Sequence, residues 1–121
     1  MNTMNRTGVE RALRLLENLP EDAMEAVACL GEARGLLDAA LNDAMAEAAL
    51  QGASLRSVAL RAGLSPNAVP PRLARTDSLG AYTDPDGKVS STSVERARYD
   101  SELGRPAPEP RTAFKRRRPT S

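Results

Sequence analysis

Apolar residues in the first half of the chain recur every three or four positions, the spacing that gathers side chains on one helix face. Thr7-Gly8-Val9-Glu10 reads as a capping box, with the Thr7 hydroxyl taking the third amide and Glu10 reaching back. Val9, Leu13, Leu16 and Leu19 follow, so residues 8–18 are predicted as a short amphipathic helix behind a frayed stretch, 1–6. Pro20 interrupts the pattern and suits the first turn of a second helix, where no amide proton is needed. Glu21 and Asp22 favour that positive end. From Asp22 to about Gln51 the chain is Ala-rich, and Met24, Val27, Leu30, Leu37, Leu41, Met45 and Ala48 fall mostly on one stripe. Gly31 and Gly35 each cost about 1 kcal/mol against Ala inside a helix. They predict a break, with helices at 21–30 and 35–51. The stripe suits either packing on the chain's own core or a seam with a second copy.

Punctuation then becomes dense. Gly52-Ala53-Ser54 ends one helix and caps the next, 55–62. Gly63 stops that helix, and Ser65 caps another that has Pro66 at its first position. Residues 79–83 and 88–91 flank Asp84-Pro85-Asp86-Gly87, a turn sequence that predicts a β-hairpin. Ser93 to Gly104 reads as a short helix, 94–103. The Pro- and Arg-rich segment from Arg105 is expected to be disordered when free.

Ser54 to Arg75 resembles a helix-turn-helix DNA-binding unit. Ala59 takes the small position four before the turn glycine, Gly63, where the two helices nearly touch. Val58, Ala62, Leu64, Val69 and Leu73 supply the packed corner. The wider stretch, about residues 36–92, is similar to actinobacterial-type helix-turn-helix proteins. There an Ala-rich helix leads through Gly-Ala-Ser into the motif, and a hairpin stands where a winged helix places its wing. The resemblance implies a mainly α fold: a helix-turn-helix bundle with a small β-hairpin wing and a disordered basic C-terminal tail. The expected organisation is N-terminal helices at 1–35, a winged domain at 36–104 and a tail at 105–121. Pro70 and Pro71 depart from the pattern, since a proline inside a helix costs roughly 3 kcal/mol. The recognition helix is therefore either kinked or begins only near Pro70.

Charge adds a direction to that picture. The 121 residues carry 17 Lys+Arg and 16 Asp+Glu, a net of +1. Residues 1–53 hold 4 basic and 9 acidic side chains, while 54–121 hold 13 and 7. Residues 54–75 contain four Arg and no acid, which fits a polyanion partner. With no His and a single Cys29, there is no imidazole catalysis, His-ligated zinc or internal disulfide. The chain has two Tyr, one Phe and no Trp, too few aromatics for a base-stacking platform. No Walker-type phosphate loop occurs, so no enzyme activity, cofactor, metal or small-molecule substrate is expected.

The expected function is duplex DNA binding by a small cytoplasmic transcriptional regulator, with no membrane association and a possible origin in a mobile element. Arg72 and Arg75 are candidates for phosphate or guanine, and Ser65 and Asn67 for phosphate or adenine. Ser54, Arg56 and Ser57 open the first motif helix, where phosphate binds readily. Lys88 at the wing tip and Lys115, Arg116, Arg117 and Arg118 in the tail would meet backbone phosphate. For each, the plainer reading is a cap or a solvated charge. Arg96 and Arg98, flanked by Glu95 and Asp100, are expected on a solvated helix face. A homodimer through the N-terminal helices is the partner expectation besides DNA. The alternative function is an inhibitor or adaptor that uses those helices to bind another protein.

Overall fold

The first helix, α1, spans Thr3–Glu17, and α2 spans Ala23–Leu50, in a computed structural model that describes residues 3–108. Thr7 and Glu10 therefore lie inside α1 and form no capping box. The second cap falls at Asp22, whose Oδ2 accepts the Glu25 amide at 3.0 Å, and Pro20 stays in the preceding connection. The predicted break at Gly31 and Gly35 does not occur: α2 is continuous over 28 residues. Both glycines are exposed, and a Cβ on either would meet nothing within 4 Å. Their cost of about 2 kcal/mol together is spread over a helix whose other residues are mostly Ala, Leu and Glu, good helix formers.

The chain divides between Ala44 and Met45 into two units. In the first, α1 and the opening turns of α2 form an antiparallel hairpin. Arg11 donates to Glu32 Oε2 at 2.7 and 3.2 Å, and the Cys29 thiol donates to the Leu15 carbonyl at 3.2 Å. Gly8 lies close to Leu36, where an added Cβ would stand 3.8 Å from the Leu36 carbonyl oxygen. Small side chains fill the seam: Ala12 and Ala33 are buried. The exposed Arg11–Glu32 pair contributes little by itself; close backbone approach between small residues is the larger effect.

The second unit contains α3 (Leu55–Ala62), a 3-10 turn at Pro66–Ala68, α4 (Val69–Leu73), a 3-10 turn at Gly80–Tyr82 and α5 (Ser91–Glu102). Its core gathers Met45, Ala46 and Ala49 of α2 with Val58, Ala59, Val69, Leu73, Leu79, Tyr82, Val89, Val94 and Ala97. The fold is mainly α, with five α-helices and no strand among the described residues.

The predicted β-hairpin wing is thus corrected. Its turn forms: Gly87, at φ +83°, donates to the Asp84 carbonyl at 2.9 Å. The flanks do not pair as strands. Leu79 and Tyr82 are both buried three residues apart, a helical rather than an alternating spacing. Thr76 winds that flank by donating to the Leu73 carbonyl at 2.7 Å and accepting the Leu79 amide at 3.3 Å. On the other flank the Val89 amide donates to the Pro70 carbonyl at 3.1 Å, so the chain is tied to α4.

The last helix is capped by Ser90 rather than Ser93: Ser90 Oγ accepts the Ser93 amide at 3.2 Å. Ser93 Oγ is left to donate to Asp84 Oδ1 at 3.0 Å, fastening the turn to α5. Arg96 is exposed as expected, but Arg98 is half-buried and donates to the Ala49 carbonyl at 3.1 Å, in the last turn of α2. A cation there also complements that helix's negative end. Among the described residues no helix is long and apolar enough to cross a membrane.

Glycine substitutions should separate the helical from the left-handed positions. Gly31→Ala and Gly35→Ala should each raise the unfolding free energy by up to about 1 kcal/mol. Gly63→Ala, at φ 73°, should lower it by about 1–2 kcal/mol in the same urea titration.

Candidate nucleic-acid interface

The corner of the second unit is built from its caps. Ser54 takes extended geometry and its Oγ accepts the Ser57 amide at 3.1 Å while donating to Ser57 Oγ at 2.9 Å. This leaves the amides of Leu55 and Arg56 at the helix start without an intrahelical partner. At the other end Gly63 is left-handed, and the Leu64 amide turns back to the Ala59 carbonyl at 3.0 Å. That bond reverses the chain within one residue. Ala59 is 1% exposed, as the close crossing of α3 with the following segment requires.

The segment after the turn is not one helix. Ser65 is extended, and its side chain makes no capping bond. Pro66–Ala68 forms a 3-10 turn, with the Ala68 amide donating to the Ser65 carbonyl at 3.0 Å. The α-helix then starts at Val69, which places Pro70 and Pro71 in its first turn, where their missing amides cost no helical bond. Of the two readings left open by the prolines, the late start is the one observed. The helix has five residues, about 7.5 Å of rise, against a major groove about 12 Å wide. Val69 and Leu73 face inward and are fully buried.

The outer surface of this corner is basic. Arg56, Ser57, Leu60 and Arg61 occupy the exposed side of α3, opposite the buried Val58 and Ala59. Arg61 was not among the candidates from sequence, which lie at the helix start; its spacing of four from Ser57 carries the signal. Ser65 and Asn67 are exposed in and after the turn. Arg72 is half-buried and engaged within the protein, whereas Arg75 is exposed and forms no ion pair with Asp77. Lys88 is exposed, and its amide donates to Asp86 Oδ1 at 3.1 Å. The neighbouring Val89–Pro70 bond brings it next to the α4 backbone, so Lys88 adjoins the corner without a wing to carry it. Lys115, Arg116, Arg117 and Arg118 lie outside the described residues. Among the described residues, no group of three or more His, Cys, Asp and Glu side chains could hold a metal ion.

Behind the corner, Tyr82 is buried and its hydroxyl donates to Asp100 Oδ2 at 2.9 Å. Burial pushes the phenol's pKa above its usual 10.0, and the hydrogen bond to Asp100 and that carboxylate's charge push the same way; Arg96 opposes them. Comparisons with protein-family models, curated proteins and solved structures find no match to this chain.

Because the folded pKa lies above the unfolded one, the Tyr82 contribution is complete below the unfolded value of about 10 and is lost as pH rises through the folded value. Alkaline unfolding should therefore steepen above pH 10 in the native protein and less so in Tyr82→Phe. At neutral pH, Tyr82→Phe strands a buried Asp100 oxygen and should cost about 1–3 kcal/mol in a denaturant titration.

Proposed function

We propose that this protein binds duplex DNA through the corner formed by α3 and the segment from Ser65 to Arg75. One observation carries the reading: a tight helix–turn–helix crossing, closed by Gly63 and Ala59, presents the exposed Arg56, Arg61 and Arg75 on a segment, 54–75, that contains no carboxylate side chain. DNA offers a dense array of phosphates, and each one neutralised releases condensed counterions. Arg56 and Arg61 meet phosphates on one side of the turn, with the capped start of α3 supplying amide donors and the Ser57 hydroxyl. Arg75 and Lys88 meet them on the other side. Asn67 and Arg75 are the side chains placed to reach base edges, adenine and guanine respectively.

The brevity of α4 sets the character of the interaction. One turn of helix offers few side chains to a groove, so phosphate contacts dominate and sequence discrimination is shallow. Lys115, Arg116, Arg117 and Arg118 add sequence-independent attraction. A role in transcriptional regulation follows from occupancy of a promoter rather than from chemistry on the nucleic acid.

Fluorescence anisotropy on a random duplex tests this. The four phosphate contacts of Arg56, Arg61, Arg75 and Lys88 give a log–log salt slope of about −3.6 or steeper, so affinity should fall roughly 100-fold or more between 50 and 200 mM salt. Arg56→Ala with Arg75→Ala should flatten that slope by about 2. Absence of binding at the lower salt, or binding indifferent to both substitutions and to Arg72→Ala, overturns the proposal.

A further inference from the structure

The α1–α2 hairpin is packed the wrong way round for a unit that is complete by itself. Its seam is lined by Gly8, Ala12, Cys29 and Ala33, while larger apolar side chains point outward. Leu13 is 55% exposed, Val27 61%, Leu30 45% and Leu37 43%, and Leu16 joins them.

These side chains share one side. On α1, Gly8, Ala12 and Leu15 mark the line facing α2, and Val9, Leu13 and Leu16 lie about 100° around the helix from it. On α2, Cys29, Ala33 and Leu36 mark the facing line, Leu30, Leu37 and Leu41 lie about 100° around in the same rotational sense, and Val27 lies further round, at about 150°. The pairs Gly8–Leu36, Arg11–Glu32 and Leu15–Cys29 make the helices antiparallel. For two antiparallel helices, equal rotations from the facing lines arrive on the same side. The outcome is one continuous apolar face crossing both helices.

We propose that this face joins two copies of the chain in a four-helix arrangement. Leu13, Leu16, Leu30, Leu37 and Val27 are exposed on it and present on the order of 400 Å², about half of the ~800 Å² that a standard interface takes from each partner. Contiguous apolar patches of more than a few hundred Å² are rare on monomeric proteins and are often functional. The polar groups bordering the face carry both signs. Arg34 lies within it, with its Nε 3.9 Å from Asp38 Oδ2, and Glu17 lies at its α1 edge. A two-fold axis sets each copy's Arg34 against the other's carboxylates, the self-complementarity that an isologous contact needs. Other occupants fit less well. Residues 109–121 hold a single large apolar side chain, Phe114. Residues 1–44 carry eight acids against four Arg, which an anionic bilayer surface repels.

Sedimentation equilibrium of the full chain, without DNA, tests the proposal separately from the DNA reading. The expected mass at high micromolar concentration is twice 12.9 kDa. Leu13→Glu with Leu30→Glu should return it to the monomer with helical circular dichroism unchanged, since both positions are exposed within the chain. A monomer at every concentration, including one that associates only with some other protein, overturns the proposal. So does a dimer that survives the double substitution. Should that variant lose helicity, Leu13→Ala with Leu30→Ala decides: a dissociation constant raised at least about tenfold supports the interface, and an unchanged one overturns it.

Discussion

The contact on which the second unit depends is the return of the Leu64 amide to the Ala59 carbonyl across a left-handed Gly63. It stops α3 and reverses the chain within one residue. Everything on the outer face follows from that reversal. It sends Val69 and Leu73 into the core beside Val58 and Ala59, and leaves Arg56, Arg61 and Arg75 in water. A bulkier residue at Ala59 would force the two segments apart and dissolve the shared basic surface.

Prolines are accommodated here by position. Pro66 opens a 3-10 turn, and Pro70 and Pro71 open α4, so none of the three removes a helical hydrogen bond. The cost is length: a helix that restarts at Val69 ends by Leu73. The Pro70 carbonyl accepts the Ala74 amide of the helix end and also that of Val89, which draws the segment after the Asp84–Gly87 turn against α4. The same proline pair that shortens the recognition element therefore replaces a wing with a strap.

The two units solve packing differently. The second buries medium-sized aliphatic side chains and a tyrosine in a closed core, fastened by Tyr82–Asp100 and by Arg98 on the end of α2. The first relies largely on Gly and Ala at the helix seam and leaves Leu13, Leu16, Leu30 and Leu37 outside. A hairpin closed by small residues gains close backbone approach but buries little apolar area, so its stability and its partner choice are linked.

Local chemistry was legible from the chain alone. The Ser54 cap, the Gly63 stop, the small Ala59 and the turn at Asp84–Gly87 all rest on interactions within about six residues; between a kink and a late start at the prolines, the structure decided. Most of the candidate surface was legible for the same reason, since Arg56, Ser65, Asn67 and Arg75 inherit their exposure from that motif. Three features came only from tertiary structure. The continuity of α2 reflects cooperative hydrogen bonding that outweighs two exposed glycines. The absence of a hairpin reflects burial of Leu79, Tyr82 and Val89: the Leu79 amide turns back to Thr76, the Tyr82 amide to Leu79 and the Val89 amide to Pro70, so no bond runs from one flank's buried residues to the other's. The outward leucines of α1 and α2 were predicted as a stripe, but which stripe faces inward depends on a competition between two faces. Small residues won the seam because they let the backbones approach, and periodicity is blind to that difference.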